Sequence, residues 1–132
     1  IEKFIVKKRW IGKKYNELLD LKNVFTKPLE MTPYSDNIYW VYGLVSNKSS
    51  INAEMAMLEL KKHNIGSRPF FYPLHQQPVV RNMIESSKYE KHPISERIAD
   101  FGFYIPSGLA ISLDQIEYVS EKINSYVQSV VG

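Results

Sequence analysis

The chain has 132 residues and a mass of 15.4 kDa, which suits one domain and leaves little room for two. It is 44% hydrophobic and 23% charged, close to ordinary globular composition, which excludes a disordered tail, a collagen-like repeat and a coiled coil. The net charge of +3 comes mainly from the first stretch of the chain, and the absence of cysteine excludes disulfides, thiolate metal sites and cysteine nucleophiles while fitting a reducing, cytoplasmic setting.

The first residue is Ile1 rather than methionine, which predicts a piece of something longer; no signal-peptide core follows it. No apolar run approaches the ~18 residues a membrane span requires, so no membrane partner is expected. Residues 1 to 20 read as an amphipathic helix, with Ile1, Phe4, Ile5, Ile11, Tyr15, Leu18 and Leu19 near one face. Residues 1–30 hold eight Lys and Arg against four acids, whereas residues 93–132 hold two against five. This basic helix suits nucleic acid or an acidic surface, or is simply a solvated face, and its spacing shows no dedicated phosphate grip.

Asn23, Pro28 and Pro33 then break the helix into a loop with room for one short strand. Ile38–Ser46 is aromatic and β-branched, with both faces apolar, and predicts a central, covered strand. Ser50 is placed to cap a helix running to His63, with Ile51, Met55 and Leu58 toward the core. Asn64 tolerates the left-handed conformation that ends such a helix, and Ile65 can fold back on its last turn. Arg68–Pro73 reads as a strand kept at an edge by its two prolines.

Residues 74–92 show no clean period and predict an ordered loop, a length that is usually functional or tied down. Pro93 opens a short helix closed by Gly102, and Phe103–Pro106 is a short strand. In the last helix, 113–130, Ser112 and Gln115 form a capping box inside an Ile111–Ile116 hydrophobic staple. The fold class that follows is α/β (α+β): a two-layer small domain, helices on one face of a small, largely antiparallel sheet.

Catalytic constellations are nearly absent. No two of the six glycines are spaced as a phosphate-cradling loop, and no serine sits in a nucleophile elbow. His63, His75 and His92 do not pair at metal-binding spacing, so no metal site is predicted. The segment Arg68-Pro-Phe-Phe-Tyr-Pro-Leu-His-Gln-Gln-Pro78 stands out. Arg68 can grip a carboxylate or phosphate with two parallel hydrogen bonds, and Tyr72 and His75 add polar tips to apolar bodies. It can line a pocket for an anionic, ring-bearing ligand; equally, Phe70 and Phe71 can be core and Arg68 the partner of a structural acid.

Gly66–Pro78, Pro93-Ile-Ser-Glu-Arg-Ile-Ala and Gly102-Phe-Tyr-Ile-Pro-Ser-Gly-Leu109 resemble the C-terminal part of the pyridoxal-phosphate-dependent sugar aminotransferases, the DegT/DnrJ/EryC/StrS group, within it most nearly the perosamine synthases. Arg9 with Tyr15-Asn-Glu-Leu-Leu19, and Tyr39-Trp-Val-Tyr42, resemble the same family's small domain. Where the family usually ends a helix on glycine, this chain has Asn64.

The resemblance implies a single domain over 1–132, the C-terminal small domain of a fold-type-I enzyme whose cofactor-bearing large domain lies upstream of Ile1. It implies a homodimer that aminates the keto carbon of a nucleotide-linked keto-deoxysugar, with glutamate as donor, in the usual setting of surface-polysaccharide synthesis. The family's cofactor-holding lysine precedes a Gly-Glu-Gly-Gly motif, and no lysine here has that context. The expectation is therefore that this piece holds no catalytic residue, does not bind pyridoxal phosphate covalently and is inactive alone. Arg68, Tyr72 and His75 are expected at the substrate. The competing reading is a stand-alone module that binds single-stranded nucleic acid on sheet aromatics beside the basic helix. Neither Tyr39–Val45 nor Phe70–Tyr72 supplies the glycine-and-aromatic pattern that such modules use.

Overall fold

The structure, a computed structural model, describes residues 1–83 and 90–132. Helix α1 (Glu2–Leu18) is followed by strands β1 (Phe25–Thr26) and β2 (Tyr42–Ser46), then α2 (Ala53–Lys62) and β3 (Arg68–Pro69). A single 3₁₀ turn (Leu74–Gln76) and α3 (Pro78–Met83) precede α4 (Pro93–Phe101), β4 (Gly102–Ile105) and α5 (Leu113–Val131). The four strands form one antiparallel sheet in the order β1-β2-β4-β3, so β2 is interior and β3 is an edge, as expected.

One cluster of buried side chains joins the sheet to three helices. Tyr42 and Leu44 of β2 and Phe103 and Ile105 of β4 meet Ile11 and Tyr15 of α1, Ala56 and Leu60 of α2, and Ile116, Val119, Ile123 and Val127 of α5. Phe25 packs edge-on against Phe103, with centroids 5.6 Å apart. Helix α5 begins as its sequence dictates: Ser112 Oγ accepts from Gln115 N–H at 3.2 Å while Gln115 Oε1 accepts from Ser112 N–H at 3.0 Å. Helix α2 ends as its sequence dictates too. Asn64 sits at φ 57°, and Ile65 N–H reaches Leu60 O at 3.1 Å while Asn64 N–H reaches Lys61 O at 3.0 Å, a Schellman motif.

Several boundaries differ from expectation. The strand expected over 38–46 starts at Tyr42, because Tyr39 takes a left-handed φ of 51° and turns the chain before pairing begins. Helix α2 is capped by Asn52, whose side chain accepts from Met55 N–H at 2.9 Å, not by Ser50. The two-residue shift puts Ala53, Ala56 and Leu60 inward and leaves Met55 and Leu58 about half exposed, at 49% and 53%. Small alanines at 53 and 56 let α2 lie close to the sheet. Ile1 and Phe4 lie on the exposed outer turns of α1 rather than in the core. Of Arg68–Pro73 only the first two residues pair, and 74–83 is partly helical instead of a plain loop. The rest of that expected loop, 84–89, lies outside the described residues.

Candidate functional site

Arg68 pairs with Tyr104 across the β3–β4 edge, and Tyr104 pairs with Gly43 of β2, so the three side-chain positions share the sheet face opposite the core. Gly43 and Gly102 leave this face bare, and the Phe70 ring occupies the gap. A Cβ at Gly43 would come within 2.5 Å of Phe70 Cζ, and one at Gly102 would overlap both the ring and the Ile98 carbonyl oxygen. Phe70 N–H donates to Gly102 O at 3.1 Å, which fixes the chain here although β3 has ended. The Phe70 ring meets Tyr104 edge-on at 4.5 Å, and Phe71 meets Tyr104 at 6.3 Å. The next ring outward is Trp40, nearly parallel to Phe71 at 16° with centroids 6.5 Å apart.

Arg68 is exposed and makes no ion pair or side-chain hydrogen bond with any described residue; the expected alternative of a structural acid partner is not seen among them. It borders a recess of about 350 Å³ lined also by Val41, Tyr104, Ile105 and Ser107. Burial pushes the Tyr104 phenol up, partly offset by the backbone N–H of Phe71. Tyr72 is 61% exposed at the end of the aromatic run.

His75 is placed differently. Its side chain is 13% exposed, and Nε2 lies 2.9 Å from Glu96 Oε1 on α4. The same Glu96 oxygen accepts the backbone N–H of His92 at 3.1 Å, and the His75 and His92 rings meet edge-on at 4.5 Å. Hydrogen bonding from His75, then from His92 N–H, holds the Glu96 carboxyl below its ordinary proton affinity. The site thus divides: Arg68 and Tyr72 face solvent, while His75 joins the aromatic segment to α4. Sequence spacing does not single out Glu96, because only the fold brings it to His75 across 21 residues.

A pyridoxal phosphate holder needs a lysine amine available for an imine bond and a cradle for the phosphate. Lys8 is the described lysine whose proton affinity burial lowers, and its ammonium is taken by two carbonyls, Trp40 O at 2.7 Å and Ser107 O at 2.6 Å. It serves as a clamp between two loops. Among the described residues, that amine is thereby engaged by backbone rather than open to an imine bond. No cluster of three or more metal-ligating side chains forms among them, and none of their helices is long and apolar enough to cross a membrane.

The family model of the DegT/DnrJ/EryC1/StrS aminotransferase family matches residues 1–124. GDP-perosamine synthase of Escherichia coli O157:H7 is 31% identical over 125 residues, covering 93% of this chain and 31% of that protein. GDP-perosamine synthase of Vibrio cholerae is 27% identical over 132 residues, covering 98% and 34%. The chain therefore spans about a third of the length of the curated relatives it matches. Among solved structures, the aminotransferase TlmJ from Streptoalloteichus hindustanus superposes with a TM-score of 0.81 at 16% identity, over 97% of this chain and 33% of that one. E. coli GDP-4-keto-6-deoxy-D-mannose-3-dehydratase, with bound hydrated PLP, superposes with a TM-score of 0.74 at 14% identity, over 91% and 31%. Identities this low speak for the fold alone.

Proposed function

Since the chain belongs to the DegT/DnrJ/EryC1/StrS aminotransferase family, we propose that it is the C-terminal small domain of a cytoplasmic, homodimeric, pyridoxal-phosphate-dependent nucleotide-sugar aminotransferase. Its large domain, with the cofactor-holding lysine, precedes Ile1. The complete enzyme moves the amino group of glutamate to the keto carbon of a nucleotide-linked keto-deoxysugar and releases 2-oxoglutarate. The cofactor, held by the large domain, supplies the electron sink that this exchange requires. The present domain closes one side of the cleft and presents Arg68 and Tyr72 to the substrate. His75, tied to Glu96, keeps the segment between them in place and adds a hydrogen bond at the sugar or its diphosphate.

The observation that carries the reading is 31% identity to a GDP-perosamine synthase over 93% of the chain. Arg68 adds support, as a fixed cation with no described acid partner beside an aromatic wall. Nothing in the comparisons favours the nucleic-acid module.

The test is amination by the complete chain. Supplied with ¹⁵N-glutamate and a GDP-linked 4-keto-6-deoxysugar, it should yield a sugar carrying one ¹⁵N and an equal amount of 2-oxoglutarate. Recovery of the unchanged ketosugar, or of a deoxygenated sugar without ¹⁵N, would overturn the reading.

A further inference from the structure

Trp40 and Phe71 are two exposed aromatics that the fold brings together. They are 63% and 74% exposed, yet neither hangs on a loose segment. Trp40 follows Tyr39, whose left-handed backbone sends its own ring into the core and its hydroxyl to Asn16 at 3.0 Å. The Trp40 carbonyl is then held by the Lys8 ammonium, which also grips the Ser107 carbonyl in the wall of the Arg68 recess. Phe71 is placed from the other side: Phe70 is seated on Gly43 and Gly102, and the next ring is forced out against Trp40. Two rings from positions 31 residues apart therefore stand nearly parallel, on backbone fixed before any ligand arrives. Preorganised aromatic faces bind planar rings at small entropic cost.

Arg68 stands at the same face. Its neighbour Tyr104 contacts both Phe70 and Phe71, and the recess beside it is of the size that takes a small polar group. A planar guanidinium matches phosphate oxygens two at a time. An aromatic platform with a phosphate-binding fork at its edge fits a ligand that has a planar heterocycle at one end and a diphosphate next to it.

We infer that Trp40, Phe71 and Arg68 form the subsite for the nucleoside diphosphate end of the substrate, the base lying on the two rings and the diphosphate on the guanidinium. This rests on the nucleotide-sugar reading above and assigns a part of the substrate to each residue. Lys8 is a positioning residue in this arrangement, acting through the Trp40 backbone.

The experiment is titration calorimetry of the complete chain with GDP and, separately, with inorganic pyrophosphate. Loss of base stacking weakens binding by about 5- to 150-fold. Trp40→Ala and Phe71→Ala should weaken GDP by that factor and leave pyrophosphate unchanged, and Trp40→Phe should restore most of the loss. Arg68→Gln should weaken both ligands. Ring variants that melt like the wild type and bind GDP like the wild type would overturn the inference, as would equal losses for GDP and pyrophosphate. If the wild type aminates its sugar while the ring variants bind GDP normally, the subsite alone falls. If GDP binding depends on the rings but no ¹⁵N is transferred, the aminotransferase reading alone falls.

Discussion

Replacing Gly102 with alanine tests how the outer sheet face is built. The added methyl would lie well inside 3.0 Å of the Phe70 ring and of the Ile98 carbonyl oxygen, closer than real Cβ atoms come to their neighbours. The ring can swing away; the carbonyl belongs to α4 and cannot move without shifting the helix that delivers β4. Overpacking of this kind costs about 1–3 kcal/mol, and a backbone clash belongs at the upper end. Unfolding a chain of 132 residues carries an entropy of about 0.28 kcal/mol/K, so about 3 kcal/mol lowers Tm by about 10 °C. Thermal melts followed by circular dichroism read this directly. Gly108→Ala is the control, since a Cβ there meets nothing within 4 Å, and it should stay within ~0.5 kcal/mol of wild type. Phe70→Ala in the Gly102→Ala background should couple favourably, by ~0.5–3 kcal/mol, because the ring is one of the two clashing groups. If Gly102→Ala melts within about 2 °C of wild type, Phe70 is not seated as described and the placement of Phe71 loses its cause.

Ser112→Ala removes the cap of α5 and should cost about 1 kcal/mol, or about 3–4 °C in Tm; an unchanged melt would refute the capping box as a stabilising element. Glu96→Gln should melt lower than wild type at neutral pH. Because the folded carboxyl titrates below its ordinary 4.5, its contribution is present above that value and is lost as the pH falls through the folded pKa, so the two melting curves should converge in acid; a gap that persists there would show that the His75 and His92 bonds to the carboxylate are not its source. Arg68→Ala in the complete chain should lower kcat/KM by about ten- to a hundred-fold with Tm unchanged, whereas His75→Ala should lower both; an Arg68 variant that melts several degrees lower and keeps its specificity constant would make Arg68 scaffold.

What the sequence showed in advance was local. The capping box of α5 involves residues three apart, the Schellman end of α2 involves Asn64 and Ile65 beside the helix itself, and the Pro93 and Gly102 limits of α4 act on their own backbone. Each is decided within a few residues. The cap of α2 was harder, because Ser50 and Asn52 are both good capping residues and the choice is made by which helix face reaches the core. The left-handed Tyr39 was hidden for the same reason, since a bulky aromatic does not announce positive φ, and its network with Asn16 and Tyr42 forms only in the packed state.

The site was legible in type more than in arrangement. Arg68, Tyr72 and His75 sit in one proline-rich run, but that run splits at Pro73. Arg68 lies on the sheet edge and His75 turns toward α4. Glu96 and Trp40 complete the two halves from 21 and 31 residues away along the chain, measured from His75 and Phe71, and pairs at that range follow only from sheet register and helix packing. Gly43 and Gly102 are the clearest case, because their meaning depends on a ring that neither neighbours in sequence.

The proposed function divides one enzyme between a domain that faces the substrate and another that holds the cofactor. Borohydride reduction of the complete chain in the presence of pyridoxal phosphate, followed by peptide mapping, tests that division most directly. The account predicts a one-to-one reduced adduct on a lysine outside residues 1–132, and no stoichiometric adduct when the 132-residue chain is treated alone. A stoichiometric adduct on any lysine within these residues, Lys8 included, would contradict it.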